Sequence, residues 1–221
     1  MQPTALFDLD GTLVDSVPDI TAAADRMAER LGLRRYVRAE VVGMIGDGVR
    51  TLVERALAAR GRAFDEAAYR GFCDDYAANA AVETGPFPAI PAVLEALAAR
   101  GWRLAICTNK PEGATRALLA ALGLADRFAA IGAGDTFPVR KPDPAHVRAT
   151  LAAAGGDAAR AVMIGDHRND VAAAAGAGIP CVFAAWGYGQ PAMAEGAAAV
   201  ARAPGELPAL LEGLVGAPAM P

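Results

Sequence analysis

The sequence predicts an α/β fold: a doubly wound, mostly parallel, Rossmann-like sheet with a small helical domain inserted after the first strand. Two observations carry this reading. Five short, nearly continuous apolar runs are spaced along the 221 residues with helical patterns between them, as expected for strands covered on both faces. Between the first run and the second the alternation stops, and residues 16–82 carry helical periodicity alone.

The strand candidates are "TALFD" (4–8), "RLAIC" (103–107), "FAAIG" (128–132), "AVMIG" (161–165) and "PCVFA" (180–184). Helices are expected from Ile90 to Arg100, stopped by Gly101, and from Glu112 to Leu122, stopped by Gly123. A further helix runs from Asp143 to Ala154, up to the Gly155-Gly156 pair. Within the insertion, Ile20, Ala24, Met27 and Leu31 repeat at helical spacing, with Pro18 in the first turn and Gly32 as the stop. Val49, Leu52, Val53, Ala56 and Leu57 mark a second helix, and Phe72, Cys73 and Tyr76 a third. "TGPFPAIP", with Pro86, Pro88 and Pro91, reads as the link back. The expected division is therefore a core of residues 1–15 and 83–221 with a helical domain of 16–82. Residues 192–203 are Ala-rich, and the final "GAPAMP" is expected to fray.

Composition excludes several function classes. Hydrophobic residues make up 54%, which suits a folded globule and not a disordered chain. No apolar run approaches the roughly 20 residues needed to span a membrane. The N-terminus has no basic n-region, so no signal peptide is expected. A net charge of −4 offers no basic field for nucleic acid. Cys73, Cys107 and Cys181 show no C-x-x-C spacing, and a reducing cytoplasm is the expected compartment. Only two lysines, Lys110 and Lys141, stand against 19 arginines. Either this is chance, or those two positions need a compact ammonium that Arg does not supply.

In open α/β sheets ligands bind beyond the carboxyl ends of the strands. Asp8, Asp10 and the Gly11-Thr12 pair follow the first run, and Thr108, Asn109 and Lys110 follow the second. Lys141, in "VRKPDP", comes shortly after the third, and "GDHRND", with Asp166 and Asp170, closes the fourth. Side chains at i and i+2 of a strand share a face, so Asp8 and Asp10 are expected side by side. Their repulsion needs a proton or a cation between them. Each group also has a plainer reading. Asp166 or Asp170 could cap the following helix, Thr108-Asn109 could be turn chemistry before Pro111, and Lys141 could be a solvated surface residue. Asp8 and Asp10 resist such a reading, since a cap needs one acid.

Taken together these residues suit phosphoryl transfer. Clustered carboxylate oxygens favour Mg²⁺, which takes its other contacts from water and substrate phosphate. One carboxylate can attack phosphorus while a second, protonated, donates to the leaving oxygen. A hydroxyl, an amide and a lysine can bind the equatorial oxygens.

"DLDGT" (8–12), "TN" (108–109), Lys141 and "GDHRND" (165–170) occur in the order of the four motifs of the haloacid dehalogenase-like phosphohydrolase superfamily, which the chain resembles over almost its whole length. The resemblance implies that Asp8 is the nucleophile that becomes aspartyl-phosphate, and that Asp10 is the general acid and then the base that activates water. It implies a Mg²⁺ site formed by Asp8, the Asp10 main-chain carbonyl and Asp166, with Asp170 behind these ligands. Thr108, Asn109 and Lys141 would hold the phosphate, and the helical insertion would be a cap that closes over the substrate.

Within the superfamily, "FDLDGTLVDSVPDI", "IGDGVRTLVERAL", "LAICTNKP" and "GDTFPVRKPDP" are most similar to the bacterial phosphoglycolate phosphatases. That implies hydrolysis of 2-phosphoglycolate to glycolate and phosphate. The haloacid dehalogenases lack an acid at the position of Asp10. Phosphonoacetaldehyde hydrolase relies on a cap lysine, and residues 16–82 contain none. A sugar phosphomutase of the β-phosphoglucomutase type and a broad small-molecule phosphatase remain as alternatives. A non-catalytic interaction protein would be marked by a missing nucleophile, metal acid or phosphate lysine. The expected partner is a small phosphorylated metabolite, with no nucleic acid or membrane; the oligomeric state is not legible. Arg50 or Arg55, at or after the "IGDGVR" turn, is expected to bind the substrate carboxylate. His167 stands where these relatives more often carry serine and is expected to be a loop histidine without a role, and His146 to be structural.

Overall fold

The computed structural model describes residues 2–216. Met1 and residues 217–221, most of the "GAPAMP" segment, lie outside the described residues. The chain opens with strand β1 (Thr4–Phe7) and a two-residue strand β2 (Val14–Asp15). Helices α1 (Val17–Arg30), α2 (Arg38–Val42), α3 (Val49–Ala58) and α4 (Glu66–Asn79) follow. The chain returns through β3 (Gly85–Pro86) and α5 (Ile90–Ala99) to β4 (Arg103–Cys107), α6 (Glu112–Ala121) and β5 (Ala130–Gly132). Then come α7 (Pro144–Ala153), β6 (Ala161–Gly165), α8 (Arg168–Ala177), β7 (Cys181–Ala184), β8 (Ala199–Ala201) and α9 (Leu207–Val215).

Six strands form one sheet in the order β5-β4-β1-β6-β7-β8, and every pairing is parallel. The alternation of β1 sorts its side chains. Ala5 and Phe7 face a cluster built with α5, α6 and α9 through Ile90, Leu94, Leu118 and Leu207. Leu6 faces the opposite cluster, with Val147 and Leu151 of α7 and Val171 of α8. Each fully buried aliphatic side chain of this kind contributes about 1.5–3 kcal/mol. Helices α1, α3 and α4 bury a third, separate cluster around Met27, Leu57 and Phe72.

The two chain segments that lead into and out of these helices run as an antiparallel pair, β2 against β3. Asp19, only 3% exposed, ties that junction. Its carboxylate accepts from the main-chain N–H groups of Val82, Glu83 and Thr84 at 2.9–3.1 Å and from the Thr84 hydroxyl at 2.7 Å.

Five features differ from the sequence expectation. A sixth strand, β8, joins the sheet edge. Its three residues lie in the Ala-rich stretch, which has too little β-branched character to announce a strand. The β2–β3 pair is likewise too short to show a pattern, and so is the five-residue α2. Helix α9 covers the sheet with Leu207 and Leu211, beyond the last apolar run the sequence singled out. Strand β1 ends at Phe7, so Asp8 and Asp10 lie in the turn that follows it. Among the described residues no helix is long and apolar enough to cross a membrane, and Cys73, Cys107 and Cys181 are free thiols.

Candidate active site

Strand β1 lies between β4 and β6, with Phe7 level with Ile106 and Ile164. The loops after these three central strands therefore emerge at one edge, bringing Asp8, Thr108 and Asp166 together. β1 is also where the strand order switches sides, the usual place for a ligand site in such sheets. The turn after β1 folds back on fully buried Leu9, whose carbonyl accepts from the N–H groups of Thr12, Leu13 and Val14. Asp8 and Asp10 flank this anchor and both line the same cavity.

Their carboxylates meet different ammonium groups. Asp8 lies 3.1 Å from the Lys141 ammonium. Asp10 lies 3.1 and 3.2 Å from the Lys110 ammonium. The acid cluster is Asp8, Asp166 and Asp170, whose oxygens fall within 4.8 Å of one another, all of them buried. Burial and the Asp8 charge push Asp166 up to about 8. Burial lifts Asp170 to about 6 against the pull of Lys141. Hard, crowded, buried oxygens of this sort fit a divalent cation, which would relieve the repulsion that raises both acids.

Lys141 is 1% exposed and makes three contacts: Asp170 at 2.6 Å, Asp8 at 3.1 Å and the Cys107 carbonyl at 2.5 Å. Burial opposes its charge, but Asp170 and Asp8 more than offset this and hold its pKa above the usual lysine range. It is no solvated surface lysine. Asp170 has both oxygens engaged, one by Lys141 and one by the His167 main-chain N–H at 3.0 Å. The helix-cap reading of Asp170 and its place in the acid cluster therefore hold together.

Asp166 accepts from the Thr12 hydroxyl at 3.0 Å and from the Tyr188 main-chain N–H at 2.7 Å. The loop after β7, "WGYGQ", was not singled out as part of the site, yet it packs against this acid. A methyl group on Gly189 would fall 1.7 Å from the Asp166 carbonyl oxygen, and one on Gly11, where φ is +83°, 2.3 Å from its Oδ2. Only glycine fits such gaps. The legible signal was an aromatic residue between two glycines directly after a strand.

Thr108 accepts from the Lys110 N–H at 3.2 Å, so the turn reading of that segment is also correct. The Asn109 side-chain amide donates to the Lys141 carbonyl at 2.9 Å and to the Gly46 carbonyl at 3.0 Å, while its Oδ1 is buried with no partner among the described residues. Asn169 was likewise missed. Its amide donates to the Gly46 carbonyl at 3.2 Å and to Asp47 at 2.7 Å, so two asparagines fasten the loop between α2 and α3 to the sheet edge. The His167 ring packs beneath Gly46, where a methyl group would meet it at 2.7 Å.

Of the two arginines expected at the substrate carboxylate, Arg50 lies outside the lining of the main cavity, and Arg55 lines a second cavity that also reaches Asp8 and Asp10. Arg50 pairs with Glu66 at 2.8 Å and lies over the Phe64 and Tyr69 rings at 4.5 and 4.9 Å, away from the lining of the main cavity. Arg55 pairs with Asp47 at 2.5 Å and lines a smaller space of about 200 Å³. The main cavity, about 420 Å³, runs from Asp8, Asp10 and Thr108 to apolar side chains of the inserted helices, among them Val49, Leu52 and Phe72.

His146 is fully buried, with Nε2 3.0 Å from the Ala133 carbonyl and Nδ1 3.7 Å from Cys107 Sγ. Burial and Lys141 lower its pKa to about 4. A histidine depressed on folding binds its proton in the unfolded chain first. The stability tied to neutral His146 is thus complete above about pH 6.5 and is lost as the pH falls toward 4. His146→Gln should flatten the pH dependence of stability between about pH 6.5 and 4, by about 2–3 kcal/mol across that range. Urea unfolding of both proteins at half-unit steps reads the difference; parallel curves would contradict it.

Comparison with known proteins gives concordant matches. The family model for haloacid dehalogenase-like hydrolases matches residues 3–178. The phosphoglycolate phosphatase of Rhodospirillum rubrum is 44% identical over 209 residues, covering 90% of this chain and 87% of that protein. The crystal structure of a predicted phosphoglycolate phosphatase from Haemophilus somnus superposes with a TM-score of 0.88 at 28% identity, covering 95% of this chain and 97% of the other. CbbY from Rhodobacter sphaeroides, in a complex with xylulose-(1,5)bisphosphate, superposes with a TM-score of 0.80 at 25% identity, covering 94% and 96%.

Proposed function

We propose that this chain, which belongs to the haloacid dehalogenase-like hydrolase family, is a Mg²⁺-dependent phosphomonoesterase that hydrolyses 2-phosphoglycolate to glycolate and phosphate. The observation that carries the chemistry is the arrangement around Asp8. Its carboxylate opens onto the main cavity, touches the Lys141 ammonium at 3.1 Å and belongs to a buried cluster with Asp166 and Asp170. The substrate reading is supported by the R. rubrum relative, 44% identical over most of both chains.

Asp8 is the nucleophile, attacking phosphorus to give an aspartyl-phosphate. Asp10, across the turn, protonates the ester oxygen as it leaves and then takes a proton from the water that cleaves the intermediate. Lys141, the Thr108 hydroxyl and the main-chain N–H of Asn109, whose side-chain amide is taken up by the Gly46 and Lys141 carbonyls, hold the equatorial oxygens. Lys141 does so as a point charge already fixed by Asp170. Asp8, Asp166 and the Asp10 main-chain carbonyl would hold Mg²⁺, with Asp170 orienting them from behind. When bound, the ion neutralises charge on the phosphoryl group and keeps Asp8 and Asp166 together in ionised form. The helices of residues 16–82 act as the cap over the cavity. Asn109 and Asn169 hold its Gly46 loop against the core.

A broader substrate range has one observation in its favour, since a cavity of about 420 Å³ with apolar walls exceeds what a two-carbon acid fills. Phosphate release from a panel of esters, with Mg²⁺ and with chelator, separates the readings. Metal-dependent release favouring 2-phosphoglycolate over sugar phosphates is the expected result. Equal rates across the panel would favour the broad phosphatase. Transfer between sugar phosphates with little free phosphate would overturn hydrolysis.

A further inference from the structure

We propose that Lys110, held by Tyr76 of α4, is the residue that recognises the substrate carboxylate. This deepens the proposed function and rests on it. Arg50 is not among the residues lining the main cavity, and Arg55 lines the smaller one, which also reaches Asp8 and Asp10; among the described residues, Lys110 is the only cation in the lining of the larger cavity. The same lining carries the acids Asp8, Asp10, Asp74 and Asp135. An anionic leaving group entering this space meets one attractive charge, set among apolar walls where charge interactions are screened less than in water.

Position adds to charge. Lys110 Nζ lies 3.1 Å from Asp10 Oδ1, the group that must reach the ester oxygen to protonate it. In phosphoglycolate the carboxylate carbon begins two bonds from that oxygen, so an ammonium touching Asp10 lies within reach of it. Three acceptor atoms surround Nζ: Tyr76 Oη at 2.5 Å and the two Asp10 oxygens at 3.1 and 3.2 Å. Two of the three belong to one carboxylate, so a substrate carboxylate can take over one Asp10 contact while the other is kept. Tyr76 fixes the ammonium by its hydrogen bond. Because Tyr76 comes from the inserted helices and Lys110 from the sheet edge, the carboxylate site is complete only when the two parts are in contact. A two-carbon substrate long enough to reach Lys110 thereby reports to the helices of residues 16–82, which touch no phosphoryl oxygen in the proposed mechanism.

The test compares 2-phosphoglycolate with ethyl phosphate, which has a methyl group in place of the carboxylate, and with 2-phospholactate. The wild-type protein should favour phosphoglycolate over ethyl phosphate in kcat/KM. Lys110→Met should reduce that ratio about 10- to 100-fold, the worth of one hydrogen bond to a charged group, mainly through the KM for phosphoglycolate. Tyr76→Phe should reduce it less, at an unchanged thermal midpoint, as expected of a positioning residue. If Lys110→Met does not fold, Tyr76→Phe decides by the same ratio.

A wild-type preference that survives both substitutions, or that is lost in Arg55→Ala instead, overturns the assignment of Lys110 and leaves the phosphoglycolate reading standing. A wild-type preference for 2-phospholactate over phosphoglycolate, with the advantage of both over ethyl phosphate lost in Lys110→Met, upholds Lys110 and overturns the two-carbon substrate. No wild-type preference for either carboxylate overturns both.

Discussion

Asp8→Asn is expected to lower phosphate release by at least about four orders of magnitude, the scale seen when a nucleophile is removed from an enzyme that works by covalent catalysis. The amide has nearly the shape of the carboxylate, and its Oδ1 can still accept the Leu9 N–H now made at 2.7 Å. The fold should therefore survive, with a thermal midpoint close to that of the wild-type protein. What is lost is the negative oxygen that attacks phosphorus. Rapid-quench experiments with ³²P-labelled ester should find acid-stable, hydroxylamine-labile label on the wild-type chain and none on the variant. Substantial turnover in a variant verified by mass spectrometry to retain Asn at position 8 would remove Asp8 from the role.

Lys141→Met is expected to be the most destabilising single change at the site. It leaves Asp170, fully buried, and Asp8, 8% exposed, without the cation that now touches both. Removing one partner of a buried ion pair costs about 3–5 kcal/mol, because the remaining charge stays out of water. Lys141→Arg should not restore function although it keeps the charge. The site holds a compact ammonium among Asp170, Asp8 and the Cys107 carbonyl, and a planar guanidinium does not fit three acceptors converging on one nitrogen. Urea unfolding in chelator reads the loss. Added Mg²⁺ should recover part of it, since a bound divalent ion neutralises the same acids. A Met variant within about 1 kcal/mol of the wild-type protein would show that the ion pair carries little net stability.

The scarcity of lysine was an informative line of the sequence, and the structure gives it a physical reason. Both lysines are buried ammonium groups, each between a site carboxylate and a second acceptor, where a point charge fits and a guanidinium does not. Arginine serves elsewhere on partly exposed pairs such as Arg26–Asp75 and Arg127–Glu95. What composition could not say is which acid each lysine would meet. That depends on the strand order, and β1 lies between β4 and β6 only once the sheet has formed.

The same division runs through the rest of the molecule. Four of the five apolar runs are strands within a residue at either end, and the third, 128–132, shortens to Ala130–Gly132. Strands buried on both faces carry their signal in every residue. Elements whose stability comes from neighbours carry almost none: the two-residue β2 and β3, the edge strand β8 and the short α2 were not visible in their own residues. At the site, Asp8, Asp10, Asp166, Asp170 and Lys141 were legible because unusual residue types follow strands. Tyr188 and Gly189 carry only the weak signal of an aromatic residue between glycines after a strand, and Asn169 none, since they act on residues far from them in the chain or through main-chain groups that any residue has. The position of Arg50 has a related cause. Helical spacing fixes which residues share a face, but packing against Phe64 and Tyr69 decided where the Arg50 side chain went. The strands, the helical insertion and the kinds of groups at the strand ends could be read from short stretches, because local periodicity and residue chemistry are properties of such stretches. Which of those groups meet could not, because pairing charges 29 to 133 residues apart, as in Lys141–Asp170 and Lys141–Asp8, requires the sheet order that brings their strands together.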